Sequence, residues 1–135
     1  MKKPLIKLDN VQFIYENSDP FHFNLEFNTA EIIAISGSNG SGKTTLLQLI
    51  SGFLTPKLGT IYLQDQVVNH LAPNQRGVSI LFSKHNLFNH LSIYDNLALA
   101  ISPKKRVLNK DDKNYLATIL QMLQIDSLQQ KKPSE

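Results

Sequence analysis

Residues 37–45 constrain this chain more than any other stretch. Their sequence, Gly-Ser-Asn-Gly-Ser-Gly-Lys-Thr-Thr, fits the pattern G-x-x-x-x-G-K-[ST]. The run 31–36 before them is rich in apolar β-branched residues and predicts a buried strand, and the apolar run 46–50 after them predicts a helix. A phosphate-binding loop needs this order of strand, glycine-rich loop and helix. The sequence therefore predicts a polyphosphate site.

The residue types of this loop suit that chemistry. Glycines at 37, 40 and 42 let backbone N–H groups approach phosphate oxygens, and the positive end of the following helix adds to the attraction. Lys43 supplies a point charge for the terminal phosphates, and the Thr44 hydroxyl is the hard oxygen ligand that Mg²⁺ prefers. A chance match to the pattern is the alternative. The predicted binding loop consists of Gly37, Ser38, Asn39, Gly40, Ser41, Gly42, Lys43, Thr44 and Thr45.

Composition limits the other functional classes to which the protein could belong. The 135 residues, 41% hydrophobic and 19% charged, suffice for one domain with a core. A net charge of +3 is too small to indicate nucleic-acid binding, and the lack of cysteine excludes disulfides and thiolate metal ligands. Lys7 and Asp9 interrupt the apolar run near the start, so we expect no secretory signal. No stretch of about 18 uncharged apolar residues is present to span a membrane.

Alternating apolar and polar residues predict a β-hairpin ahead of the loop. The alternation extends over 5–15 and again, strictly, over 21–28. Further strands are predicted at 59–63 and at 77–82, the second of which is mostly apolar and is expected to be buried. The first part of the chain therefore combines a hairpin with the strand, loop and helix of the phosphate site.

Two helices are predicted in the last third of the chain. Ser92 caps a helix that extends to about Ala100, and Asp95 stands where a capping box needs an acidic side chain. A last helix opens at 109–112, and the basic run 104–106 before it is expected to be solvated loop charge. The apolar face of the last helix consists of Tyr115, Leu116, Ile119, Leu120 and Leu123.

The order of these features resembles the ATP-binding subunits of ABC transporters. The stretch 52–56, Gly-Phe-Leu-Thr-Pro followed by Gly59, is similar to a family segment of the form G-x-x-x-P-x-x-G, and 76–82 matches the strand that leads to the family's Q-loop. The stretch 86–97, Asn-Leu-Phe-Asn-His-Leu-Ser-Ile-Tyr-Asp-Asn-Leu, closely matches the family segment LFPHLTVYDNI. Within the family, this stretch and residues 121–126 are most similar to the ATPases of bacterial thiamine importers.

This resemblance implies roles for particular residues. Tyr15 is expected to stack on the adenine of ATP, although a strand aromatic that packs under the hairpin is the alternative. The loop 37–45 is expected to bind ATP and Mg²⁺. A groove formed by Leu87, Phe88 and Leu91 is expected to receive a membrane subunit, with ordinary loop packing as its alternative. The resemblance also implies dimerisation with a second ATP-binding subunit, at the cytoplasmic face of the bacterial inner membrane.

The sequence departs from the family at two points. Ser83 stands where the Q-loop has a glutamine, and its shorter side chain cannot reach metal and water in the same way. Residues 1–135 contain no LSGGQ signature and no Walker B strand ending in Asp-Glu. We therefore expect this chain to bind ATP without hydrolysing it. Because the family places the Walker B strand next to the strand predicted at 77–82, we also expect an exposed sheet edge and marginal stability.

The predicted fold class is α/β, a P-loop NTPase of the ABC type with an N-terminal antiparallel β-hairpin, a partial helical subdomain and no C-terminal half. Residues 1–135 are expected to form one incomplete ATP-binding domain, with the hairpin and loop core in 1–82 and the Q-loop region in 83–135. The leading functional hypothesis is the energy-coupling subunit of an importer, plausibly for thiamine. The alternatives are a non-catalytic nucleotide-binding remnant or the product of a disrupted gene, and a different P-loop enzyme such as a small-molecule kinase, against which the hairpin and 86–97 argue.

Overall fold

The predicted hairpin forms the centre of the first part of the chain. The computed structural model describes residues 4–84, 86–103 and 107–135. Strand β1 (Ile6–Phe13) pairs antiparallel with β2 (Phe21–Phe27), so the predicted hairpin is confirmed. The predicted basic run 104–106 lies outside the described residues.

Two further strands extend the sheet on the other side of β1. Strand β3 (Leu58–Leu63) pairs antiparallel with β1, and the short β4 (Gln66–Val67) pairs with β3, which gives the order β2-β1-β3-β4. The register of β1 shifts between Leu8 and Val11. An extra residue at such a bulge reverses the alternation of side chains. Leu8 and Val11, three positions apart, are therefore both fully buried.

Helix α1 (Lys43–Ser51) follows the phosphate loop and contributes its apolar face to the core of the sheet. Gly52 ends the helix, as its position after the apolar run indicates. A single turn of 3₁₀ helix, Pro73–Gln75, follows β4. The buried core of this part consists of Leu8, Val11, Phe13, Leu46, Leu49, Ile50, Ile61, Leu63 and Val68.

Two predictions of buried strands are wrong. Residues 31–36 have no strand structure, and the side chain of Ile32 is fully exposed. Residues 77–82 are likewise irregular, and Leu81 is 84% exposed. An apolar β-branched run becomes a strand only where neighbouring strands pair with its backbone groups. In the described part of the chain, the sheet contains β1 to β4 and no strand that pairs with either run.

The last third of the chain is helical. Helix α2 (Ile93–Ile101) is capped by Ser92, whose Oγ accepts from the Asp95 N–H at 3.0 Å, as the sequence predicts. Helix α3 (Lys110–Met122) begins at Asn109. Leu116 and Leu120 of its predicted apolar face are buried, but Tyr115 and Leu123 are more than half exposed. The chain then makes a 3₁₀ turn at Asp126–Leu128.

The chain divides into two compact units, one up to Ile80 and one from Leu81. This boundary is close to the division between 82 and 83 that the sequence predicts. Leu108, Leu116 and Leu120 form the core of the second unit, with Ile93, Leu97 and Ile101 packed against it. None of the described helices is long and apolar enough to cross a lipid bilayer.

Candidate functional site

An open cavity of about 320 Å³ lies beside the phosphate loop, residues 37–45, in the first unit. It brings together residues that are distant in sequence, because the hairpin turn and the start of α1 lie side by side. Its volume falls in the range of small-ligand sites. The lining residues are Tyr15, Phe21, Asn39, Gly40, Ser41, Gly42, Lys43, Thr44 and Thr45.

The ammonium group of Lys43 forms hydrogen bonds within the phosphate loop. Its Nζ donates to the carbonyls of Gly37 and Ser38, both at 2.8 Å. These two predicted loop residues are therefore tied to the cavity through Lys43, although neither lines it. Carbonyl oxygens are weaker partners for an ammonium group than phosphate oxygens, because a charged acceptor strengthens the hydrogen bond. A polyphosphate in the cavity is thus a better partner for Lys43 than the loop itself.

The N-terminal residues of α1 line the same cavity. Gly42 precedes the helix with φ of 90°, and the described structure shows no side chain that caps its first turn. The uncapped N–H groups and the helix dipole together favour an anion there. A Cβ on Gly42 would lie 2.6 Å from Cδ1 of Phe21, so only glycine fits between this ring and the helix.

The Thr44 hydroxyl meets one requirement of a magnesium site. Thr44 is exposed and lines the cavity beside Lys43. No carboxylate lines the cavity, and the described residues contain no cluster of three or more acidic or histidine side chains that could hold a metal. Mg²⁺ usually combines one or two protein ligands with phosphate oxygens and water. The residues present therefore fit Mg²⁺ only in the company of a polyphosphate.

Tyr15 lines the cavity. Its side chain is 41% exposed, and its hydroxyl lies 3.2 Å from Oγ1 of Thr45. Phe13 and Phe21 contact the ring edge to face, with centroids at 4.8 Å and 6.2 Å. The ring packs against the aromatic residues of the hairpin and also lines the cavity. The geometry is therefore compatible with both alternatives, packing under the hairpin and stacking on a base.

Ser83 lies in the second unit, where it is exposed in a bend. The neighbouring Phe82 is held by Asn86, whose side chain accepts from its N–H at 2.8 Å and donates to its carbonyl. Asn86 thus holds the backbone of the residue that precedes Ser83. A serine hydroxyl here can act on a ligand only at short range.

The predicted docking groove is only partly present. Leu87 and Phe88 are 53% and 51% exposed, and Leu91 is partly buried. An open cavity of about 460 Å³ includes Leu87, but its other lining residues, Leu81, Asn86, Asn89 and Pro133, are not the predicted ones. Leu87 and Phe88 form an exposed apolar pair, and their docking role stays a prediction.

Asn96 holds this apolar pair in place. Its side chain is 9% exposed, and its Oδ1 accepts from the Phe88 N–H at 2.8 Å. Its Nδ2 donates to the carbonyls of Phe88 and Ser92, at 3.1 and 2.9 Å. Buried amides that satisfy several backbone groups fix a loop strongly.

Sequence reasoning did not identify Phe21 or Asn96 as site residues. Phe21 fits the alternation of a half-buried strand, and nothing in the sequence indicates its contact with Gly42. Asn96 lies inside a helix, where an asparagine is unfavourable unless its side chain has specific partners. That mismatch is the one sequence signal that points to its role.

Comparison with known proteins agrees with this geometry. The family model described as ABC transporter matches residues 21–135. The thiamine import ATP-binding protein ThiQ of Aliivibrio fischeri is 37% identical over 131 residues, which is 97% of this chain and 55% of that protein. The spermidine/putrescine import ATP-binding protein PotA of Legionella pneumophila is 37% identical over 132 residues, which is 97% of this chain and 36% of that protein.

A solved structure has the same fold. The dimeric ATP-binding cassette MJ0796, in a post-hydrolysis state with ADP and Pi, superposes with a TM-score of 0.75 at 25% identity, over 96% of this chain and 62% of that one. The chain spans about half the length of the ThiQ protein that it matches. The predicted fold class, an ABC-type P-loop domain present in its N-terminal part, is confirmed.

Proposed function

This chain belongs to the ABC transporter family of ATP-binding domains, and we propose that its phosphate loop binds MgATP as the energy-coupling part of an importer. The observation that carries the proposal is the cavity that joins Tyr15 to the loop residues Asn39 to Thr45. One cavity is lined both by an aromatic ring, which suits a nucleobase, and by the loop groups that suit phosphates, and a nucleoside triphosphate has both parts.

Each end of the nucleotide has a partner in this proposal. The Tyr15 ring stacks on adenine, and stacking on an aromatic contributes roughly 1–3 kcal/mol per base. Lys43 leaves the carbonyls of Gly37 and Ser38 and binds the terminal phosphates. The free N–H groups at the start of α1 and the backbone of the loop bind the remaining phosphate oxygens. Thr44 supplies the one protein oxygen for Mg²⁺.

A polypeptide of residues 1–135 is proposed to hold ATP without cleaving it. Phosphoryl transfer to water needs a group that positions the water and a metal held firmly against the phosphates. Among the described residues, no carboxylate, histidine or glutamine lines the cavity beside the loop. Ser83, at the position where the family has its glutamine, is a poor substitute because its side chain is short.

The remaining assignments concern partners and location. We propose that the exposed pair Leu87 and Phe88, with Leu91 behind it, docks on a membrane subunit at the cytoplasmic face of a bacterial inner membrane. Dimerisation with a second ATP-binding subunit is the expected active arrangement, and the solved relative MJ0796 is dimeric. The exposure of two large apolar side chains on an ordered loop supports a protein contact there.

Thiamine is the proposed solute, because the ThiQ protein matched here is described as a thiamine import ATP-binding protein. The match to PotA makes polyamines the competing solutes. Deleting the coding sequence of this chain and measuring uptake of labelled thiamine and labelled spermidine separates them. Loss of thiamine uptake alone supports the proposal, and loss of spermidine uptake alone contradicts it.

Binding of MgATP is tested by isothermal titration calorimetry. We expect saturable binding by the wild-type chain and none by Lys43→Ala. Lys57→Ala is the matched control, since Lys57 is an exposed lysine of the same unit that does not line the cavity. Equal binding by wild-type and Lys43→Ala would show that the loop is not the site.

A further inference from the structure

Another cavity, of about 290 Å³, lies in the first unit where β1 begins and β3 ends. It shares no lining residue with the cavity beside the phosphate loop. Its volume is close to the lower end of the range for small-ligand sites. Most of its wall is apolar. The apolar lining residues are Leu5, Ile6, Leu63, Val68, Leu71 and Val78.

One residue of this wall is charged. Arg76 lines the cavity and is 6% exposed. Its Nε donates to the carbonyl of Leu71, and its Nη1 donates to the carbonyls of Leu49 and Ile50. Within 4–84, 86–103 and 107–135, every fully buried side-chain nitrogen or oxygen has a partner. Nη2 of Arg76 has none there, so this nitrogen is accessible to solvent.

The charge of Arg76 has no acidic partner in the part of the chain that the structure describes. No carboxylate lines the cavity, and each hydrogen bond of the guanidinium goes to a neutral carbonyl. A guanidinium stays ionised in proteins, and buried arginines are usually paired with an anion. The carbonyls at the end of α1 offset only part of a full charge. An anion in the cavity would supply the missing counter-charge.

We infer that this cavity is a second ligand site, which binds a small monocarboxylate with a short apolar chain. The carboxylate accepts a hydrogen bond from Nη2 of Arg76, and the chain contacts the apolar wall. A phosphate group fits less well, because its additional charge would face apolar side chains and neutral amides. The neutral amides are those of Gln64, Gln66 and Gln75. The inference does not depend on the proposed binding of MgATP, since the two cavities have no residue in common.

The experiment titrates the wild-type chain with hexanoate and with hexanol, which has the same chain length but no charge. Binding is read from ¹H–¹⁵N NMR spectra, in which the Gly77 amide and the Nε–H of Arg76 report on this cavity. We expect hexanoate to bind at least about tenfold more tightly than hexanol, the difference that a charge-assisted hydrogen bond provides. Saturating MgATP is expected to leave hexanoate bound.

Val78→Phe places a larger side chain in the cavity and is expected to weaken hexanoate binding by at least about tenfold. Val67→Phe is the matched control, because Val67 is an exposed valine of β4 that does not line the cavity, and its affinity should stay within about twofold of wild type. Arg76→Met is expected to reduce the affinity for hexanoate to that for hexanol. Urea midpoints of all three variants report folding.

Four results overturn the inference. Equal affinity for hexanoate and hexanol would show that the charge of Arg76 is not used. Unchanged affinity in Val78→Phe, or spectra in which the signals of Gly77 and Arg76 do not move, would place the ligand elsewhere. Displacement of hexanoate by MgATP would place it in the phosphate loop. If Arg76→Met does not fold, the comparison of hexanoate with hexanol and the NMR signals still decide the matter.

Discussion

The guanidinium of Arg76 donates from Nη1 to the carbonyl of Leu49, at 2.7 Å. Its Nε donates to the carbonyl of Leu71 at 3.0 Å, and Nη1 also reaches the carbonyl of Ile50. Arg76 is 6% exposed and caps the C-terminal end of α1, where backbone carbonyls lack helical partners and attract a cation. Burial lowers the pKa of Arg76 from its ordinary value, yet a guanidinium remains charged at neutral pH.

Arg76→Met is expected to destabilise the chain by about 2–3 kcal/mol, because it removes the charged donor from the carbonyls of Leu49, Ile50 and Leu71. Arg76→Lys is expected to recover only part of this loss, since one ammonium group cannot replace a planar guanidinium that donates from two nitrogens. Urea unfolding curves give both values, with Lys57→Ala as the exposed control in the same unit. A midpoint for Arg76→Met equal to that of the control would show that the cap contributes nothing.

Gly42→Ala and Gly40→Ala form a matched pair for the phosphate loop. Both glycines have positive φ, 90° and 82°, but only a Cβ on Gly42 would clash, at 2.6 Å from Phe21. Each substitution is expected to cost roughly 1–2 kcal/mol through the backbone conformation. Gly42→Ala also displaces the ring or the helix start, and we expect it to weaken MgATP binding more than Gly40→Ala. Calorimetry of the two variants checks this order, and the reverse order would contradict the described packing.

Substitutions of Ile32 and Ile61 are expected to change the free energy of unfolding by very different amounts. Ile32 is fully exposed and Ile61 is 0% exposed. We expect Ile32→Lys to change the free energy of unfolding by less than about 0.5 kcal/mol and to reduce aggregation. Ile61→Ala is expected to cost about 2–5 kcal/mol. Loss of more than about 2 kcal/mol in Ile32→Lys would mean that residues 31–36 are a buried strand after all.

Asn96→Ala is expected to release the loop that carries Leu87 and Phe88. The Phe88 N–H loses its acceptor, and the carbonyls of Phe88 and Ser92 keep only their backbone donors, the N–H groups of Leu91 and of residue 96. We expect a local cost of about 1–3 kcal/mol. Hydrogen exchange read by mass spectrometry is expected to quicken in the peptide that covers 86–92 and to stay unchanged in β1. Asn114→Ala, at an exposed asparagine of α3, is the control. Unchanged exchange in 86–92 would remove Asn96 as the residue that orders this surface.

The exposed pair Lys7 and Glu26 gives a pH prediction. They face each other across β1 and β2 with Nζ and Oε1 3.2 Å apart. The hydrogen bond to Glu26 raises the pKa of Lys7 above its ordinary value of 10.5. The pair therefore stabilises the fold below pH 10.5, and this stabilisation disappears as the pH rises through the raised pKa. The difference in urea midpoint between wild-type and Lys7→Met should be smaller at pH 11 than at pH 8, and a larger difference at pH 11 would contradict the assignment.

The sequence predicts those structural features that depend on residues close together in the chain. The hairpin follows from alternation along 21–28, and the start of α2 follows from the pairing of Ser92 with Asp95. The position of the phosphate loop is predictable for the same reason, since its sequence pattern lies within the nine residues 37–45.

Features that depend on distant partners escape such prediction. Residues 31–36 have the composition of a buried strand, but composition cannot report whether a neighbouring strand is there to pair with them. The contacts of Phe21 with Gly42 and of Arg76 with Leu49 join residues far apart in sequence. These contacts decide how the loop is held, and they become visible only when the hairpin and the helix are placed together.

The nucleotide that remains bound after prolonged incubation with MgATP tests the central claim most directly. The chain is incubated with excess MgATP, freed of unbound nucleotide, denatured, and its bound nucleotide identified by chromatography. We predict ATP on the wild-type chain and none on Lys43→Ala, because the loop provides binding groups and the described residues that line the cavity include no group to activate water. Bound ADP with released phosphate in the wild-type chain, absent in Lys43→Ala, would contradict binding without hydrolysis, and an absence of any bound nucleotide would contradict the ATP site itself.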